Sequence, residues 1–257
     1  MLYNIYSKIV DILDVSFYIA KNNFKLRNEG SYLGIFWYIL EPVVSFSILL
    51  IVGGILNQNA IPYYPIYLLI GLIMFNFFTA TTNHSVGALV DNAGFIKNIK
   101  INPEVFIISG TIQFIFSHFF EFILVIALGV YLDMNMLWFV LYPVIIFFFS
   151  LFIIGVSFMI SILNVYINDF RNIWSIMTRL LWFVTPIFYV IPNDNFLHTI
   201  SMLNPMFHFI NITRDVIISH KIVELNTFIL AFISSILVFI IGLIIFEINK
   251  NKIAEKI

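Results

Sequence analysis

Long apolar stretches constrain this 257-residue chain more than any short motif does. Six of them occupy residues 34–56, 66–88, 105–129, 137–163, 173–190 and 225–246. Each is close to the ~20 residues that carry a helix across a hydrocarbon core of ~30 Å. Water is absent there, so a crossing backbone must satisfy its own hydrogen bonds, and runs of this kind predict membrane-spanning helices. Composition points the same way. The chain is 61% hydrophobic and 11% charged, whereas a soluble domain carries about a quarter charged residues. A net charge of −1 argues against a basic nucleic-acid surface. Without cysteine there is no disulfide framework and no thiolate metal site. The first residues lack the basic-then-apolar pattern of a cleaved signal, so a retained N-terminus is expected.

Lysine and arginine orient the spans. Lys8, Lys21, Lys25, Arg27, Lys97, Lys100, Arg171, Arg179, Lys250, Lys252 and Lys256 fall on one side of a six-span arrangement, and only Arg214 and Lys221 fall on the other. The positive-inside rule then places both termini in the cytoplasm, which requires an even number of spans.

Two segments are apolar without being long enough to cross. In residues 1–31, Ile9, Leu13, Phe17, Ala20 and Phe24 recur at helical spacing, with Lys8, Asp11, Asp14, Tyr18, Lys21 and Lys25 on the other side. This predicts an amphipathic helix in the membrane interface; a helix packed on another protein surface has the same pattern. In residues 191–224, one short apolar piece from Phe196 ends at Asn204-Pro205, and a second, containing Arg214-Asp215, follows. Apolar pieces of this size re-enter the membrane or lie in its interface. A re-entrant helical hairpin at the outer mouth is expected, with a cap lying flat as the alternative. The expected fold is an all-α polytopic membrane protein with a cytoplasmic tail at 247–257.

Charges inside spans need an explanation, because each costs several kcal/mol unless paired or wetted. Glu41 and Arg179 both lie ~10 Å from the cytoplasmic edge. They either pair or face a wet cavity, and Arg179 can also snorkel. His118 and Glu121 share one helix face. Metal binding or proton relay would need partners that the spacing does not supply, so a polar patch facing the bundle interior is the simpler reading. Gly30-x-x-x-Gly34 fits either a close helix contact or a bend. Aromatic residues gather at span ends, as an interfacial belt does.

Four local patterns combine with the six stretches. They are Gly30-Ser-Tyr-Leu-Gly34-Ile-Phe-Trp37-Tyr-Ile-Leu-Glu-Pro42; Phe95-Ile-Lys-Asn-Ile-Lys-Ile-Asn-Pro103; Asn164-Val-Tyr-Ile-Asn-Asp169-Phe with Trp182-Phe-Val-Thr-Pro186-Ile-Phe-Tyr189; and Leu203-Asn-Pro205 with Arg214 beyond it. Together they resemble the ABC-2 type permeases that export O-antigen, capsule and teichoic acid polysaccharides. The resemblance implies one transmembrane domain over residues 1–257 in a prokaryotic cell membrane, paired with a second copy to form a channel for a lipid-linked glycan. It implies two copies of a separate ATPase that bind ATP and Mg. This chain has no Gly-x-x-x-x-Gly-Lys-Ser/Thr loop, and no catalytic role or cofactor is expected in it.

By the same resemblance, residues 91–103 form the coupling segment. Phe95, Ile96 and Ile99 would dock in a groove of the ATPase, with Lys97 and Lys100 at its rim; a basic loop that only sets topology is the plainer alternative. Phe36, Trp37, Trp182 and Tyr189 become candidates for contacting sugar rings, and Asn204, Pro205 and Arg214 mark the outer hairpin. The chain departs from the family pattern at Asn28-Glu29, at Glu104 and at Asn168, which bears on partner docking. An ABC-2 permease for a drug or lipid is the nearest alternative. An ion-coupled secondary transporter is more distant, resting only on Glu41 and Glu121.

Overall fold

The computed structural model describes residues 2–27, 29–57, 61–99, 101–191, 196–221 and 225–256. Among these the fold is all-helical, with no strand. Helix α1 covers Leu2–Leu26, and a 3-10 turn at Gly34–Phe36 leads into α2 at Trp37–Asn57. Helix α3 is Tyr64–Asp91, the short α4 is Ala93–Asn98, and α5 is Glu104–Tyr131. A 3-10 stretch at Met136–Leu141 enters α6 at Tyr142–Tyr166. Then come α7 at Phe170–Val184, α8 at Phe196–Met202, α9 at Pro205–Ile218 and α10 at Leu225–Lys256. Proline opens α3, α6 and α9, where its missing N–H costs nothing.

Among the described residues, five helical stretches are long and apolar enough to cross a membrane: Gly34–Gly54, Tyr64–Asp91, Glu104–Tyr131, Met136–Tyr166 and Phe228–Ile253. The sixth expected span, 173–190, differs. Its helix α7 starts earlier and stops at Val184, because Pro186 cannot continue the hydrogen-bond ladder and disfavours helix before it. At 15 residues, α7 is only ~22 Å long. The chain nevertheless continues in the same direction. Arg171, at the start of α7, meets Asp91 at the end of α3. Trp174 and Trp182 then pack on Phe78 and Phe75, and the backbone of Phe188 and Tyr189 meets the hydroxyls of Tyr64 and Tyr67. Segment 171–189 therefore runs antiparallel beside almost the full length of α3.

The contacts fix the other directions. Helix α6 lies parallel to α3 (Phe149 on Phe77, Phe152 on Phe78) and antiparallel to α5 (Tyr142 on Phe122, Phe139 beyond it). Helix α10 lies parallel to α6, from Phe232 on Phe148 to Asn249 at Tyr166. Helix α9 enters the main core: Phe209 packs on Phe149 at 5.0 Å, while His220, just past its end, sits by Trp138. A second cluster joins Leu89, Ile96, Phe106, Phe158, Phe246 and Ile253, so α4 and the end of α10 share one end of the bundle.

Helix α1 divides its surface in two. Ser16 and Ala20 are buried against α5, and the Ser16 hydroxyl faces the Val105 carbonyl at 3.4 Å. Small side chains permit this close approach. Ile9, Leu13 and Phe17 form an exposed apolar stripe, while Phe24 stacks on Tyr38 of α2. The single apolar face read from spacing is thus two adjacent faces, one for protein and one left open. Gly30 and Gly34, both at positive φ, turn the chain from α1 into α2, which is the bend rather than a helix contact.

Glycine does make a close crossing elsewhere. A Cβ on Gly155 would stand 2.5 Å from the Val238 carbonyl oxygen, and one on Gly242 would enter the Gly155 backbone. Gly155→Val is expected to destabilise the protein by about 1–3 kcal/mol through overpacking, read as a lowered melting temperature in detergent. Gly54→Ala, whose Cβ meets nothing within 4 Å, should not lower that temperature.

Candidate functional site

Polar groups buried in a membrane protein are the first place to look for function, and here they gather at three levels. The middle level is a recess of about 260 Å³ between the end of α1 and α2, α3 and α5. Arg27, Tyr38, Glu41, Asn76, Asn83, Ser117, His118 and Glu121 are among its lining residues. Asn76 and Asn83 are seven apart, so they share one face of α3. The side chains of Glu41, Asn76 and Asn83 form no hydrogen bond to another described residue. At the back wall, His118 Nδ1 lies 3.0 Å from Glu121 Oε2 and Nε2 lies 2.5 Å from the Tyr142 hydroxyl. His118 also stacks on Phe77 at 4.8 Å. With both ring nitrogens engaged, the imidazole joins α5 to α6. Arg27 stands over the rings of Tyr38 and Phe114, at 5.2 and 5.4 Å.

At the end where α4 sits, two ion pairs bracket the segment between α3 and α5. Arg171 binds Asp91 at 2.5 Å, with both side chains about half exposed. Lys250 of α10 binds Glu104, with both side chains largely buried. Between them α4 is anchored by Ile96, 5% exposed in the second apolar cluster, while Phe95 and Ile99 are 51% and 61% exposed. Phe95 leans toward Phe106 at 6.2 Å, and Lys97 is exposed beside it.

At the opposite end, Arg214 is 4% exposed. Its Nη1 and Nη2 donate to the carbonyls of Pro186 and Ile187 at 2.9 and 2.7 Å, and its Nε donates to the Tyr67 carbonyl at 3.2 Å. Its guanidinium lies 3.5 Å over the Tyr67 ring. Asn204 donates to the Thr185 hydroxyl at 2.9 Å and caps α9 by accepting from Met206 N–H. The backbone that unwinds after Val184 thus finds its partners on α3 and α9, and a planar fork suits Arg214 to it better than a point charge would.

The residues singled out from sequence separate accordingly. Glu41 and Glu121 meet in the recess, whereas Arg179 sits on α7 with its Nε on the Ser175 carbonyl, and α7 does not touch α2. Glu41 and Arg179 are not paired within one chain, because α3 stands between their helices. Ile96 points into the protein's own core, Phe95, Lys97 and Ile99 point out, and Lys100 lies outside the described residues. Phe36 is exposed, Trp37 donates to Ser31 at 2.9 Å, Trp182 packs on Phe75, and Tyr189 bonds the Phe183 carbonyl. Asn76, Asn83, Tyr142 and the two bracketing ion pairs were not anticipated. The asparagines could have been found: two amides one face apart in an apolar span carry the same signal as a charge.

The profile of the family described as ABC-2 type transporter matches residues 16–218 of this chain. The O-antigen export system permease protein RfbA of Klebsiella pneumoniae is 27% identical over 250 residues, 95% of each chain. Its namesake in Myxococcus xanthus is 21% identical over 243 residues, 93% of this chain and 94% of that one. The polysialic acid transport protein KpsM of Escherichia coli is 27% identical over 205 residues, 75% of this chain and 76% of that one.

The Arg214 fork is expected to be the most sensitive single group at that end. Arg214→Lys keeps the charge but gathers its donors on one nitrogen where arginine uses three, and a loss of roughly 3 kcal/mol is expected from charged hydrogen bonds left unmade. Hydrogen exchange at 185–191 should rise in this variant while exchange in α5 stays unchanged.

Proposed function

Because the profile match over residues 16–218 makes the chain a member of the ABC-2 type transporter family, we propose that it is the membrane-spanning permease subunit of an ATP-driven exporter of a lipid-linked polysaccharide. The observation that carries this reading is the end-to-end similarity to O-antigen export permeases, 95% of each chain in one case. ATP and Mg would be bound by a separate ATPase, and two copies of the permease with two of the ATPase would form the machine. The chain itself supplies the path and holds no catalytic site in this reading.

Six crossings in a prokaryotic cell membrane are proposed, with α7 and the unwound residues after it as the fifth. The antiparallel run of 171–189 along α3 supports it, because that run covers the same thickness as a helix long enough to cross. Helices α8 and α9 would form a re-entrant hairpin on the outer side. The depth of Phe209 in the core and the break at Asn204-Pro205 favour this over a flat cap. Both termini would be cytoplasmic, at the end where α4 sits, with the exposed stripe of α1 in the membrane interface.

Coupling is assigned to α4. Phe95 and Ile99 would enter a groove of the ATPase, with Lys97 and Lys100 at its edge, while Ile96 ties α4 to the bundle. A push on α4 would reach α7 through Asp91–Arg171 and α10 through Glu104–Lys250. The ATPase must bind α4 differently in two states of the channel for ATP to drive anything. Phe36, Trp37, Trp182 and Tyr189 are kept as candidate sugar contacts of the path.

Deleting the chain from its host should abolish surface polysaccharide, detected by glycan staining of intact cells, without stopping glycan synthesis; unchanged surface polysaccharide would remove this reading. Phe95→Asp with Ile99→Asp should lose co-purification of the ATPase, whereas Ile96→Val should retain it.

A further inference from the structure

The recess between α1, α2, α3 and α5 is too polar to face lipid. Asn76 lies 12 residues from Tyr64 and 15 from Asp91, the two ends of α3, which puts it ~18 and ~22 Å from them, near mid-membrane. At that depth an uncompensated charge or amide costs several kcal/mol. Glu41, Asn76 and Asn83 are at least partly exposed and have no described side-chain partner. What compensates them lies outside the chain: water, or a polar ligand that replaces water.

We infer that this recess is a sugar-binding site that holds one ring of the exported polymer through its hydroxyl groups. The inference rests on the polysaccharide-export reading above. Carboxylates of Glu41 and Glu121 accept hydrogen bonds, the Arg27 guanidinium donates them, and the amides of Asn76 and Asn83 do both. That mixture suits hydroxyls, which are donor and acceptor at once. The two carboxylates against one guanidinium repel a phosphate or pyrophosphate, so the lipid carrier's head is a poor occupant. A volume of about 260 Å³ falls just under the 300–1,000 Å³ of drug-sized sites and suits one ring rather than an oligosaccharide. The aromatic faces are already taken, since Tyr38 lies between Phe24 and Arg27, and Phe77 carries His118. Recognition is therefore by hydrogen bonding, not by stacking. The wall is held in place by the His118 bridge from Glu121 to Tyr142.

The absence of cysteine makes the test clean. Single variants Asn76→Cys and Asn83→Cys, made in the full chain in its host, are exposed to a membrane-impermeant, positively charged methanethiosulfonate in opened membranes. Both should be modified, because thiolates form only where water reaches, and Leu237→Cys on the apolar outer face of α10 should not. Modification of the recess variants should fall several-fold in membranes from cells with the polymer in transit, compared with cells blocked in polymer synthesis. Equal rates in the two membranes, with export intact, overturn the inference, and so does failure to modify either position. Should either asparagine variant fail to insert or lose export, Ser45→Cys on the facing wall of α2, which has no assigned role in holding the sugar, carries the same comparison. Loss of surface polysaccharide on deletion together with equal labelling removes the sugar site alone. Surface polysaccharide that survives deletion removes the export reading as well.

Discussion

A polypeptide that leaves helical geometry inside hydrocarbon exposes N–H and C=O groups that no water can satisfy. In the six-crossing arrangement proposed above the chain after Val184 does this, and its carbonyls are met by side chains of α3 and α9. Tyr64 and Tyr67 give their hydroxyls to the carbonyls of Phe188 and Tyr189. Arg214 gives two N–H groups to Pro186 and Ile187. To do so, α9 must enter the bundle rather than rest on it, which explains why Phe209 sits among Phe149 and Phe152. Gly71 of α3 must also stay without a side chain, since a Cβ there would stand 3.1 Å from the Ile187 carbonyl oxygen.

The polar joints of the bundle are held with different firmness. The Asp91–Arg171 pair is half exposed, and such pairs contribute about 0–1 kcal/mol. It can open and close at little cost. Removing one partner of a buried pair costs roughly 3–5 kcal/mol, so Glu104–Lys250 behaves as a fixed joint. Arg214, with three carbonyls, is fixed as well. An element that is to move under a partner's push belongs at the loose joint, and α4 adjoins it. In this geometry the ion pair at the Arg171 end of α7 holds it less firmly than Arg214 holds the carbonyls beyond its far end.

Much of this was legible in the sequence, because the bilayer leaves few solutions for long apolar runs. Five of the six stretches became helices of crossing length. The sixth was misjudged in form: apolarity marked the region, but Thr185-Pro186 set where the helix ends, and only α3 and α9 show how the remaining backbone is satisfied. The pairing of Arg214 with carbonyls could not be read at all, since its partners lie 27 to 147 residues away. His118 and Glu121 were readable as a patch by their spacing. Tyr142, which completes it, required knowing that α5 and α6 run antiparallel. For α1 the spacing identified the helix but not which stripe faces protein, because Ser16 reads as polar in sequence while serving as a small residue in the packing.

Helix α3 gives the bundle its asymmetry. One face, through Phe75 and Phe78, carries α7 and α6, and another, through Phe77, carries α5 and α6. The face with Asn76 and Asn83 turns toward α2, which covers it incompletely. The outer faces of α2 and α10 are apolar, with Ile48, Ile51, Leu237 and Ile241 exposed, and lipid can cover them without cost. Lipid cannot cover the Asn face. In the two-copy arrangement proposed above, a water-filled path completed by a second copy would hydrate the open amides of the central helix without exposing them to lipid.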